Sequence, residues 1–81
     1  MPVTVRLSAG LARLVGLPRL QMVVQDSTTV AGLLESLAAC YPTLAPHLRL
    51  AVPVVRGNPV SGEQPLASGD EVALLVPVAG G

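Results

Sequence analysis

The sequence predicts an α+β domain, a mixed sheet of four to five strands covered by one main helix, on three observations. Val3, Val5 and Leu7 alternate with Thr4, Arg6 and Ser8, and Leu20, Met22 and Val24 alternate with Gln21, Val23 and Gln25; a period of two marks a strand with one buried face. Val30, Leu33, Leu34, Leu37, Ala38 and Tyr41 recur at spacings of three and four, which gives a helix with one apolar stripe. Residues 50–56 and 71–76 are short runs rich in valine and leucine, set between turn-forming residues, and read as further strands.

Taken in order, the first strand leads into residues 9–16, where Gly10 and Gly16 limit any helix to a short turn. The second strand follows Pro18. Asp26, Ser27, Thr28 and Thr29 then gather side chains that accept hydrogen bonds from free backbone N–H groups, so the main helix starts there with Thr29 as its cap. Pro42 ends it, and Glu35 and Ser36, off the stripe, face water. Residues 43–47, which include Pro46, read as an irregular turn or a short 3₁₀ segment. In the next strand Pro53 removes one ladder donor and marks an edge or a locally unpaired position. Gly57-Asn58 supplies a turn, Pro59-Val60 a stub of strand, residues 61–64 a loop, Pro65-Leu66 a bend, and Ser68-Gly69-Asp70 a turn into the last strand. The order β-β-α-β-(short β)-β is that of a β-grasp, in which the helix buries its stripe against the sheet and the last strand is central. With no repeat and no linker, residues 1–77 form the domain and residues 78–81 a flexible Gly-Gly tail.

Composition narrows the partners. Eighty-one residues make one small domain, and such a domain buries roughly 60% of the surface its unfolded chain exposes. Hydrophobic residues reach 51% and aromatics 1%, so the core is built from Val, Leu and Ala with Tyr41 as the one ring. So much apolar content beside 12% charged residues implies apolar surface left outside the core, for a protein partner. Five arginines balance five acids, which argues against nucleic acid and acidic membranes as partners. No lysine occurs, so the sequence offers no side-chain amine for isopeptide or Schiff-base chemistry. No run approaches the ~20 apolar residues of a membrane span, and residues 1–5 do not resemble a secretion signal, so a cytoplasmic location is expected. Cys40 excludes an internal disulfide or a cysteine-built metal site and is expected to be a small packing residue within the helix. His47 has no neighbouring carboxylate, thiol or second histidine and reads as a turn residue. No metal and no bound cofactor are expected.

The chemistry is concentrated at the end of the sequence. Gly80-Gly81 follows an apolar strand and Pro77-Val78-Ala79. Glycine lacks a Cβ, so a Gly-Gly end can lie extended in a channel too narrow for other residues and present its carboxylate to an enzyme. The run Gly69-Asp70-Glu71-Val72-Ala73-Leu74-Leu75-Val76-Pro77-Val78-Ala79-Gly80-Gly81 resembles the closing segment of the small, sulfur-carrying subunit of molybdopterin synthase, a member of the ubiquitin-like β-grasp sulfur carriers. Arg13 and Leu14-Val15-Gly16 are similar to that family's first loop, Thr28-Thr29-Val30 and Leu33-Leu34 to its helix start, Tyr41-Pro42 to its helix end, and Pro65-Leu66 to its bend before the last turn. Val76 stands where the family often has a further proline, and Leu7-Ser8 where it has aromatic residues.

The resemblance implies a carrier that is not itself the catalyst, with the active site on a large subunit. An E1-like adenylating enzyme would use ATP to convert the Gly81 carboxylate, ionised and a poor electrophile at neutral pH, into an acyl-adenylate. A persulfide sulfur donor would then displace AMP and leave a thiocarboxylate, whose anionic sulfur is the nucleophile. The molybdopterin synthase large subunit would take up the tail for delivery to the cyclic pterin precursor. Within the tail, Gly81 carries the sulfur, Gly80 allows close passage, Ala79 is the largest side chain the channel accepts there, Val78 continues the inserted segment, and Pro77 stiffens the exit. Exposed apolar residues of the sheet, with Arg6, Arg13 or Arg56 on the rim, would form the docking surface. The alternatives are a related carrier for thiazole, tRNA thiolation or cysteine synthesis, a modifier conjugated to lysines through Gly81, and a β-grasp binding module whose Gly-Gly is incidental.

Overall fold

A computed structural model of the chain describes residues 1–76. Five strands, β1 (Pro2–Leu7), β2 (Arg19–Val23), β3 (Val52–Val55), β4 (Asn58–Pro59) and β5 (Glu71–Leu75), form one mixed sheet in the order β2-β1-β5-β3-β4. β5 is central. It runs parallel to β1, with Val5 beside Val72 and Leu7 beside Leu74, and antiparallel to β3, with Val55 beside Val72. Alternation sends Val3, Val5, Leu7, Leu20, Met22, Val55, Val72 and Leu74 to one face, where all are buried. The main helix α2 (Val30–Cys40) covers that face with Val30, Leu33 and Leu37, completing the β-grasp that the element order predicts.

The start of α2 is fixed by its orphan N–H groups. Thr29 Oγ1 accepts from Gly32 N–H at 3.2 Å, as predicted for the cap. The N–H groups of Val30 and Ala31 donate outside the helix, to the carbonyls of Gln64 and Gly62, both at 2.9 Å. Residues 61–65 are therefore a lid on the helix start, and Gly62 lies close against it, since an added Cβ would stand a tight 3.2 Å from Ala31 Cβ. Thr29→Ala is expected to destabilise the domain by about 1 kcal/mol, read as a lowered midpoint in urea.

Several expectations need correction. Residues 9–16 hold more than a turn: α1 (Ala9–Val15) is a two-turn helix that seats Leu11 in the core. Gly10 faces open space and is tolerated, while Gly16, at φ 81°, closes the helix with its N–H on Ala12 C=O. Ser36 is half-buried rather than facing water. Beyond α2, a 3₁₀ turn over Pro42–Leu44 runs into a single-turn α3 (Ala45–Leu48), which brings Leu44 and Leu48 into the core. The hairpin between β3 and β4 turns at Arg56-Gly57, one place earlier than Gly57-Asn58, and the regular strand β4 spans Asn58–Pro59, with Val60 N–H adding one further bond to Pro53 C=O. Val55 pairs with Asn58 across two residues of positive φ, 53° and 78°, the geometry of a type I′ turn. Pro53 sits in an interior strand, yet its predicted unpaired position is real. Val60 N–H donates to Pro53 C=O, so the backbone of Pro53 faces β4, and its missing donor falls where that two-residue strand has already ended.

Candidate functional site

The residues predicted to do the chemistry, Pro77, Val78, Ala79, Gly80 and Gly81, lie outside the described residues. What the structure supplies is their base and the surface around it. β5 is held along both sides: Thr4 N–H donates to Asp70 C=O at 2.9 Å, Ser8 N–H to Leu74 C=O at 3.2 Å, and β3 pairs from Val52 beside Leu75 to Val55 beside Val72. Leu74 is fully buried and Val76 packs partly against the core. The strand that leads to Pro77 is thus anchored as firmly as any part of the domain.

The outward residues of the sheet form the second component. Strand alternation places Glu71, Ala73 and Leu75 of β5 on the face opposite the helix, and the pairing register sets Val54 beside Ala73 and Val52 beside Leu75. On the other side Arg6 lies beside Ala73 and Thr4 beside Glu71. The result is a small apolar patch in which Val52 and Leu75 are exposed, Leu75 to 48% just before the tail, with Val54 half-buried and Ala73 buried between them.

Charge lines one end of this patch. Arg6 Nη1 stands 3.7 Å from Glu71 Oε1, and Arg56 Nη2 donates to Asp70 Oδ1 at 2.8 Å. Asp70 is the organising group. Its side chain is only 10% exposed, and its second oxygen accepts from Ala67 N–H at 2.9 Å, so one carboxylate ties the β3–β4 hairpin to the turn before β5. Gly69, at φ 85°, lets that turn close, with its N–H on Pro2 C=O. Arg6, Arg56, Asp70, Glu71, Val54 and Ala73 line a concavity of about 440 Å³. Two of the three arginines proposed for the rim are therefore in place. Arg13 is not, because α1 packs on the helix-covered face, where Leu11 joins the core.

The other expected positions divide. His47 is exposed within α3. Cys40 is the last residue of α2 but is exposed, so it is not the packing residue expected of it; the apolar stripe ends with the half-buried Ala38 and Tyr41. Among the described residues no group of His, Cys, Asp and Glu could hold a metal ion, and no helix is long and apolar enough to cross a membrane. Sequence reasoning left the outward patch unassigned and gave Asp70 no partner. The alternation Glu71-Ala73-Leu75 marks the first; nothing local marks the Arg56–Asp70 contact, whose residues are fourteen apart.

Comparison with known proteins supplies the context. The model of the ThiS family matches residues 5–81. No match was found among curated protein sequences. Among solved structures, the chain is similar to the HVO 2177 protein of Haloferax volcanii, with 30% identity, coverage of 100% of this chain and 87% of that one, and a TM-score of 0.85. It is similar to SAMP1 of Haloferax volcanii at 26% identity, 100% coverage of both chains and a TM-score of 0.87. Its fold is also that of a chain in the complex of subunits 1 and 2 of the molybdopterin-converting factor from Helicobacter pylori, at 21% identity, 100% coverage of both and a TM-score of 0.73. A ubiquitin-like sheet with a central last strand and a family pattern that runs from the first strand through Gly81 lead to one assignment: the chain belongs to the ThiS family of ubiquitin-like sulfur carriers.

Proposed function

We propose that this chain carries sulfur for molybdopterin synthesis as a thiocarboxylate on Gly81. The observation that carries the reading is the family match that extends through Gly80-Gly81, in a domain whose central strand leads straight to those residues. The resemblance of the closing run 69–81 to the small subunit of molybdopterin synthase favours this pathway, and the shared fold with a molybdopterin-converting factor subunit seen in complex with subunit 2 is in keeping with it.

In this reading the Gly81 carboxylate attacks the α-phosphate of ATP on an E1-like enzyme, and pyrophosphate leaves. A persulfide donor attacks the acyl carbon and AMP departs; a thiol then cleaves the resulting acyl disulfide, which frees the thiocarboxylate and leaves a disulfide on the donor side. On the large subunit each thiocarboxylate sulfur displaces a carbon-bound oxygen of the cyclic pterin precursor, lost as water or released as the cyclic phosphate ester opens; water then cleaves the thioester, returning the Gly81 carboxylate and leaving the sulfur on the pterin, and two deliveries make the dithiolene. The domain's own task is docking and aim. The patch of Val52, Val54, Ala73 and Leu75 excludes water at the contact, while Arg6 and Arg56, each already opposed by an acid, set orientation more than affinity.

Incubation with the activating enzyme, ATP and a persulfide donor tests this by intact mass: one sulfur must replace one oxygen. Addition of the large subunit and the pterin precursor must then yield molybdopterin; loading without that product assigns the carrier to another sulfur pathway. Leu75→Glu, at an exposed position, is expected to weaken the complex with the activating enzyme at least about tenfold, measured by calorimetry, with an unchanged melting temperature.

A second reading is favoured by the similarity to SAMP1, a small archaeal modifier protein. Conjugation to lysines of other proteins would use the same Gly81 adenylate. Adducts of high molecular weight in cells, lost with Gly81, would support it.

A further inference from the structure

Among the described residues the edge of the sheet at β2 is open, with Arg19 as its one charged side chain. Val24 N–H donates to Met1 C=O and Leu7 N–H to Pro18 C=O, and these bonds fix the phase of the β1–β2 ladder. Leu20 and Met22 turn their backbone groups toward β1, so those of Arg19, Gln21 and Val23 point away from the sheet. They meet no partner among the described residues. Edge strands of monomers are commonly blunted by lysine, proline, a bulge or extreme shortness. The opposite edge has two of these devices, since β4 is two residues long and includes Pro59. β2 has five regular residues, and Val23 is 85% exposed, the most exposed large hydrophobic residue among those described.

We infer that β2 pairs antiparallel with β2 of a second copy of this chain, about a twofold axis through Gln21. The strand is self-complementary in that register. Gln21 faces Gln21, and Arg19 of each copy faces Val23 of the other, so the three outward pairs can exchange six backbone hydrogen bonds. No like charges stand opposite one another. The two Arg19 side chains lie at opposite ends, about 13 Å apart along the strand, and each shares its end with the exposed Asp26 of the other copy. Val23 is covered by the aliphatic stem of Arg19. On the buried face Leu20 and Met22 meet their counterparts, so the two cores join beneath one ten-stranded sheet. The apolar patch around Leu75 lies across β1 and β5 from this edge and stays open.

Sedimentation equilibrium of the full chain tests the pairing. The average mass should rise toward twice the monomer's as concentration goes from about 10 μM to about 1 mM, and the amides of Arg19, Gln21 and Val23 should gain protection from exchange over the same range. Val23→Lys and, separately, Gln21→Pro, which removes an outward backbone donor along with the exposed Gln21 Nε2–Thr4 Oγ1 hydrogen bond, should each weaken association at least about tenfold. Dilute Val23→Lys should melt like the dilute parent, since Val23 lies outside the core, and dilute Gln21→Pro slightly lower, for the lost contact with Thr4. A chain that stays monomeric at the highest concentration, or a dimer that survives both substitutions, overturns the inference.

Discussion

Deleting Gly81 is expected to abolish sulfur loading while leaving the melting temperature unchanged. Every strand pairing, cap and core contact described above is made by residues 1–76, and the deletion leaves each of them in place. Chemistry is affected for a geometric reason. The new carboxylate on Gly80 falls one residue short, about 3.3–3.6 Å of reach in an extended chain, whereas a misplacement of about 1 Å already costs on the order of 100-fold in rate. The measurement is intact mass after incubation with activating enzyme, ATP and persulfide donor, beside a thermal melt. A shortened chain that still acquires sulfur, or a full chain with an amidated Gly81 that still supports cofactor synthesis, contradicts the assignment.

The largest structural effect is expected at Leu74. Its side chain is fully buried between the sheet and the helices, in the strand that has hydrogen-bonded neighbours on both sides. Leu74→Ala removes three carbons from a site without room to collapse, at about 2–5 kcal/mol. A domain of this length has roughly 4–12 kcal/mol in total, so the substitution should remove a large fraction of its stability. Urea titration should show a lower midpoint with a similar slope. Sulfur loading per folded molecule should be unaffected, which separates this variant from the Gly81 deletion. A midpoint close to the parent's would mean that the core beneath β5 is far looser than its burial indicates.

Much of this architecture was legible because the relevant signals are local. The alternation of Val3, Val5 and Leu7, the Thr29 cap and the stripe of Val30, Leu33 and Leu37 each follow from a few adjacent residues, and each is where the pattern put it. Misreadings arose where a distant partner decides. Gly10 and Gly16 argue locally against a helix, yet burial of Leu11 offsets their propensity over seven residues. Leu44 and Leu48 lie in a proline-punctuated stretch without clear periodicity, so only tertiary packing identifies them as core. Cys40 looks apolar by composition but falls on the exposed last position of α2. For the site, the tail motif was readable in order, whereas the Arg56–Asp70 pair and the row Val54-Ala73-Arg6 depend on strand register, which a single sequence does not state.

The side-by-side, same-direction arrangement of β1 and β5 bears on what happens when the molecule is pulled. Tension applied through Met1 and through Pro77 would drag these two neighbours past each other lengthwise, loading their cross-links together instead of opening them one after another like a zipper. A motor that seizes the end beyond β5 would therefore meet its greatest resistance at the first step.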